Sequence, residues 1–191
     1  MQSVHHGTRW RLILARKTRT SPRPQPKRTG ALRGATRPPR QPRRAPIDFL
    51  VLSISRATAY IPSGREVCIS IANPGVSATV LSAKFADVLS VSFSDIAAPS
   101  PFPFDQLFDA DHARSILEFV SRWNDVDRIV VHCVGGVSRS PAVALAIAEL
   151  LGQPTDELER QFPMWNTWVR GELVKAGRDR RARPATQARA R

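Results

Sequence analysis

The sequence predicts an α/β fold, with one domain built on a central, mainly parallel sheet flanked by helices, between two disordered basic tails. Three observations predict it. Short runs rich in Val and Ile alternate with stretches of helical spacing, the pattern of strand–helix units in a parallel sheet. Charge divides the chain: residues 1–46 carry 13 basic side chains and no acid, residues 175–191 carry seven basic and one acidic, and the span between them carries 9 basic against 15 acidic. The first segment also mixes Pro with Arg, as in Arg37-Pro38-Pro39-Arg40. Proline withholds the backbone donor and like charges repel, so disorder is expected there. The expected organisation is a tail at 1–46, a domain at 47–175 and a basic tail at 176–191.

Within the domain, Asp48–Ile54 reads as a buried strand and Ser55–Ile61 as a short helix stopped by Pro62-Ser63-Gly64. Glu66–Ile71 is a second strand, closed by the turn Asn73-Pro74-Gly75, and Val88–Phe93 a third. A Pro-rich loop, Pro99–Pro103, follows. Asp105–Asn124 has apolar residues at helical spacing: Ala113, Ile116, Leu117, Val120 and Trp123. Arg128–His132 is a fourth strand, and Ser140–Leu151 an apolar helix ended by Gly152 and Pro154. Two further helices are expected at Thr155–Phe162 and Asn166–Lys175.

Composition excludes several classes. The formal net charge of +13 belongs to the ends, and the span between them is net negative. The folded part is therefore not read as a nucleic-acid surface. The tails are read as solvated, with a polyanion- or nucleic-acid-binding arm or a transit peptide as the alternatives. The longest nearly apolar run, Pro141–Leu151, falls short of the roughly 20 residues of a membrane span. Trp10–Ala15 is too short for a secretory h-region, so no signal peptide is expected. Two cysteines, Cys68 and Cys133, make no disulfide framework, which points to a reducing, cytoplasmic setting. The four histidines and two cysteines show no metal-ligand spacing, and no metal or other cofactor is expected.

The chemistry lies in His132-Cys133-Val134-Gly135-Gly136-Val137-Ser138-Arg139-Ser140-Pro141. A bare C-x5-R spacing is common by chance in an Arg-rich chain; the context makes it informative. A buried strand runs into Cys133, a Gly pair follows, and a helix opens near Ser140. Open α/β sheets bind ligands at such strand-to-helix loops. Glycines let successive N–H groups converge on an anion, and the helix N-terminus adds roughly half a positive charge. Arg139 adds a planar fork matched to phosphate oxygens. The same field favours the thiolate of a cysteine placed there. Pro141 suits a first helical turn.

HCVGGVSRS resembles the HC-x5-R-S/T signature of cysteine-dependent protein tyrosine phosphatases, and within them the dual-specificity-like branch and its bacterial relatives. The resemblance covers roughly residues 47–175. It implies a phosphatase-like α/β fold, a phosphocysteine intermediate, no metal, and a phosphorylated protein as substrate. It also implies roles. Cys133 attacks phosphorus. Arg139 and the N–H groups of Val134, Gly135, Gly136, Val137 and Ser138 hold the phosphoryl oxygens. Ser140 assists breakdown of the thiophosphate, His132 supports the loop by hydrogen bonding, and Asn166 braces it. An upstream aspartate protonates the leaving group. The first choice is Asp95, which follows a strand end; Asp105 and Asp109 are rivals, both expected in the first turns of the next helix. The family's W-P-D tripeptide is absent.

Other residues read as structural. Cys68, mid-strand, is expected in the core, with a protective disulfide to Cys133 as the alternative. Trp123, Trp165 and Trp168 are expected to pack against the core, and His112 to sit at a solvated helix start. The expected function is hydrolysis of a phosphomonoester on protein tyrosine, with or without serine/threonine. The alternatives are a phosphatase of inositide, nucleotide or RNA 5′-phosphate and a catalytically silent phosphate-binding module. The catalytic loop holds no Lys or Arg between Cys133 and Arg139, which counts against a multiply charged inositide.

Overall fold

The sheet is assembled from four short strands: β1 (Asp48–Ser53), β2 (Glu66–Ala72), β3 (Asp87–Ser92) and β4 (Arg128–Cys133). They appear in a computed structural model that describes residues 45–182. The expected disordered segments, up to residue 44 and from 183, lie outside the described residues. Strand order is β1-β4-β2-β3, and every pairing is parallel. A parallel pair cannot close through a tight hairpin, so each strand is followed by a crossover. β2 and β4 lie in the middle and are almost wholly buried, as their mostly apolar sequences require. β1 and β3 are the edge strands, and the burial of β3 alternates with its Ser-interrupted sequence.

Among the described residues, five helices accompany the sheet: α1 (Ile54–Ala59), α2 (Ala110–Arg122), α3 (Arg139–Leu150), α4 (Asp156–Gln161) and α5 (Thr167–Ala182). One core cluster joins Val67, Ile69, Ile71, Ile129 and Val131 to apolar residues of α2, α3 and α5. The other sheet face is thinner: Leu52, Cys68 and Val130 pack with Ala57 of α1 and Phe85. Helix α3 is buried on nearly every side. Its alternate alanines, Ala142, Ala144, Ala146 and Ala148, are each at most 1% exposed and let backbones approach closely.

The expected elements are present, with most boundaries within two residues of those expected and two shifted by five or more. Helix α2 begins at Ala110, five residues after the expected start. Asp109 is its N-cap and accepts from the backbone of Asp111 and His112, while His112 reaches back to the Asp109 N–H. Helix α5 continues to Ala182, seven residues past the expected end. Basic composition suggested a tail, but these residues dock on the end of α3. Arg178 pairs with Glu149 at 2.8 Å, and Arg181 donates to the Leu150 carbonyl. Gly177 lets the helices meet: a Cβ there would stand 2.5 Å from Leu150 Cδ1. The three tryptophans pack against the core as expected; Trp123 Nε1 donates to Asp87 and Trp168 Nε1 to the Phe108 carbonyl.

Candidate active site

The strand-to-helix turn after β4 lies at the carboxyl edge of the sheet. Cys133 ends β4, 2% exposed, and Arg139 opens α3 six residues later. The loop folds back on the thiol. The Gly136 N–H donates to Cys133 Sγ at 3.3 Å, and Ser140 Oγ lies 3.1 Å from the sulfur. With the sulfur as thiolate, the Ser140 hydroxyl is the donor. Gly136 has φ +72°, and a Cβ there would meet the backbone of Leu52 and Ser53 at 2.6–2.8 Å. Only glycine fits where the loop crosses the end of β1. The Ile54 N–H bonds the Val134 carbonyl at 3.2 Å, tying the loop to the same junction.

The loop is also open to an anion. Ser138 is the N-cap of α3, yet its side chain makes no capping hydrogen bond. Its hydroxyl instead donates to Asp95 Oδ1 at 2.7 Å. A helix N-terminus without a side-chain cap leaves its first N–H groups for a ligand. The N–H groups of Gly135, Val137 and Ser138 have no acceptor among the described residues.

Arg139 is 4% exposed and held by one nitrogen. Its Nη1 donates to the Phe93 carbonyl at 2.8 Å and the Ala72 carbonyl at 3.3 Å, beyond the ends of β3 and at the end of β2. Nε is buried without a hydrogen-bond partner among the described residues; Asp95 Oδ2 faces it at 3.8 Å, beyond hydrogen-bonding reach. The guanidinium is thus oriented by backbone while its other donors stay available to an oxyanion.

Asp95 and Asn166 join this centre. Asn166 Nδ2 donates to Asp95 Oδ1 at 2.9 Å and to the Ile96 carbonyl at 3.2 Å. Its Oδ1 accepts from the Val169 N–H at the start of α5, and its own N–H bonds the Ser138 carbonyl. One buried amide therefore links the Asp95 segment, the Cys133–Arg139 loop and the last helix. Asp105 lies in a loop outside α2, with its carboxylate accepting from Ser100 Oγ. Asp109 is absorbed in the α2 cap. The cleft above Arg139, about 470 Å³, is open and is lined by Asn73, Asp95, Phe104, Asp105 and Val134 among others. Among the described residues lining it, Arg139 is the only cation. Val134 and Val137 are 48% and 57% exposed, so the rim of the loop is apolar.

Two expectations, for His132 and His112, need correction; for Cys68 the core placement stands and only the disulfide alternative falls. His132 is fully buried, but neither ring nitrogen has a hydrogen-bond partner among the described residues. Its position in β4 turns the ring to the sheet face opposite Cys133. Burial holds it below the usual imidazole value, with the Cys133 backbone opposing the shift. Cys68 packs on that same opposite face, and both thiols are free, so a disulfide to Cys133 is ruled out by geometry. Burial pushes the Cys68 thiol up to about 12, which keeps it a neutral core group. His112 is not solvated: its side chain is 12% exposed and stacks on Phe108.

Sequence reasoning missed the clasp at the foot of the acid loop. The Ser94 N–H bonds the Gln106 carbonyl at 2.7 Å, and the Gln106 N–H returns to Ser94 Oγ at 3.1 Å. Residues 95–105 thus form a closed Ω-loop whose two ends carry Asp95 and Asp105. Its only signal was a Ser and a Gln flanking a Pro-rich stretch.

No protein-family model matches the chain, and no curated protein matches it. Among solved structures it is similar to human DUSP28, at 18% identity and TM-score 0.43, over 72% of this chain and 96% of that one. It is similar also to Tk-PTP in its active form, at 18% identity and TM-score 0.43, over 71% of this chain and 93% of that one. Likeness at this level carries nothing about the site, whose reading rests on its own geometry.

Proposed function

We propose that the protein is a phosphomonoester hydrolase working through a phosphocysteine, with phosphotyrosine in a protein, with or without phosphoserine/threonine, as its substrate. One observation carries the reading: a buried sulfur receives the Gly136 N–H and faces Ser140 Oγ in a loop that runs into an uncapped helix end, and that loop ends at a guanidinium whose orientation is set by two carbonyls. The sulfur would attack phosphorus, forming S–P as the ester P–O bond breaks. Asp95, through the Oδ2 that Ser138 and Asn166 leave free, would give its proton to the departing oxygen. A water would then attack phosphorus and pass its proton to Asp95. The S–P bond would break toward the sulfur, with the Ser140 hydroxyl hydrogen-bonding the thiolate as it leaves. The loop N–H groups and Arg139 would hold the three equatorial oxygens, where the transition-state charge is spread.

The apolar rim and the absence of a second cation among the described residues lining the cleft favour one phosphate on an aryl or protein chain over a polyphosphorylated head group. The test is turnover of phosphotyrosine and phosphoserine peptides, inositides and RNA 5′ ends, with vanadate as inhibitor. Vanadate-sensitive release from phosphotyrosine peptides is expected. Cys133→Ser should abolish it while phosphate binding persists, and Arg139→Lys should lose both. Release from inositides or RNA alone would reassign the substrate, and no release from any would sink the reading.

A further inference from the structure

We propose that His112, on α2, is a positioning residue for Asp95 and Arg139. The assignment rests on the hydrolase reading above, since it concerns the same site.

His112 touches neither group. Its Nε2 lies 2.9 Å from the Ser92 carbonyl, the last residue of β3. That oxygen only accepts, so Nε2 carries the hydrogen. Nδ1 receives the Asp109 N–H at 3.2 Å, with Asp109 Oδ1 2.7 Å away. Protonated or neutral, the ring donates from Nε2 to Ser92. Ring contacts fix its plane: it stacks on Phe108 at 5.6 Å and meets Phe93 edge-on at 5.4 Å. Phe93 in turn packs edge-on against Phe108 at 4.9 Å, and both phenylalanines are buried.

The residues so gripped lead directly to the site. Phe93, next after Ser92, offers the carbonyl that holds Arg139 Nη1 at 2.8 Å. Ser94 makes the clasp with Gln106, and Asp95 follows. Ser92 is the last residue of an edge strand, so no strand among the described residues lies on its outer side to hold its direction. His112 supplies that hold from α2. A rotation of the Ser92–Phe93 backbone would move the Phe93 carbonyl and Asp95 together, and a shift of about 1 Å in a reacting group costs up to about 100-fold.

Two esters and two variants test this. His112→Phe keeps the aromatic contacts and removes the donor to Ser92. His112→Gln restores both polar functions, since its amide oxygen suits the third helical position of a capping box and its NH₂ can donate to Ser92. On phenyl phosphate, whose leaving group needs both the Asp95 proton and Arg139, His112→Phe should lower kcat/KM about tenfold or more; on 4-nitrophenyl phosphate, which needs Arg139 but not that proton, the loss should be smaller, about threefold. His112→Gln should recover most of the loss. Should the Phe variant not fold, His112→Asn, which keeps a polar group at the cap without the reach to Ser92, repeats the comparison. Equal losses on the two esters, or a lowered Tm with unchanged kinetics, overturn the assignment and leave the hydrolase reading standing. A wild-type chain inert toward both esters overturns the two together.

Discussion

Gly136→Ala perturbs the Cys133–Arg139 loop at one atom. The added methyl would lie 2.6 Å from the Ser53 nitrogen and 2.7–2.8 Å from the Leu52 carbonyl group. These are backbone atoms at the end of β1, which pairs residue for residue with β4, so they cannot yield independently. The left-handed conformation at φ +72° adds a second cost. That conformation costs a residue with a Cβ about 1–2 kcal/mol. Overpacking adds about 1–3 kcal/mol. The total, about 2–5 kcal/mol, is a large share of the roughly 5–15 kcal/mol that holds a domain together. Gly135→Ala is the matched control: its Cβ would meet only Val137 Cγ2, at 3.4 Å, an ordinary contact. Urea unfolding should place Gly136→Ala lower by that margin and Gly135→Ala within about 1 kcal/mol of wild type. Because the Gly136 N–H is bonded to the sulfur, the folded fraction of Gly136→Ala should also lose at least about 100-fold in aryl phosphate turnover. Equal stability of the two variants, with turnover intact in both, would refute the close approach and the loop geometry drawn from it.

Asp95→Asn should slow phenyl phosphate hydrolysis by about 10²–10⁴ and 4-nitrophenyl phosphate far less, read from kcat on each ester. Should both slow alike, Asp105→Asn in the same assay becomes the test of the other cleft carboxylate. A chain ended at Lys175 should unfold about 1–2 kcal/mol more easily in urea than one ended at Ala182, because it loses the Arg178–Glu149 and Arg181–Leu150 contacts. Indistinguishable midpoints would mean that the last two turns of α5 do not dock. His132 is held below the usual imidazole value by burial, so between that lowered value and about 6.5 the unfolded chain binds a proton that the folded chain does not. Stability should therefore fall as pH drops below about 6.5, with the slope reduced in His132→Asn. A wild-type midpoint flat from pH 7 to 5 would contradict the buried neutral ring.

The parts of this site that were legible in the sequence are contiguous. Strand, Cys133, glycines, Arg139 and helix follow one another within a dozen residues, so local pattern contained their geometry. Arg139's own support was not legible. It comes from the Ala72 and Phe93 carbonyls, 67 and 46 positions away, and a backbone oxygen has no residue-type signature. The start of α2 was misread because its capping box uses His112, where the usual signal is Glu or Gln. The end of α5 was misread because Arg178 and Arg181 resemble tail residues until Glu149 and the end of α3 are placed against them. Asp95 and Asp105 both reach the cleft because the Ser94–Gln106 clasp closes the loop between them, a contact that no spacing announces.

The Ser138 hydroxyl links the two halves of the proposed chemistry. An N-cap serine ordinarily bonds a backbone N–H of its own helix, which would occupy the end of α3. Here Asp95 takes that hydroxyl, and one hydrogen bond both holds the carboxylate over the cleft and leaves the helix end free for an anion. Asn166, just ahead of α5, reinforces the arrangement by bonding the same Asp95 oxygen and the Ser138 carbonyl. Displacing Asp95 would therefore free Ser138 to cap α3. Loss of the acid and occlusion of the anion site would then be one event rather than two. The clasp at Ser94 and the His112 bond to Ser92 restrain the same segment from its other end. The acid segment is held at both ends, and on this geometry its position conditions anion binding as well as proton transfer.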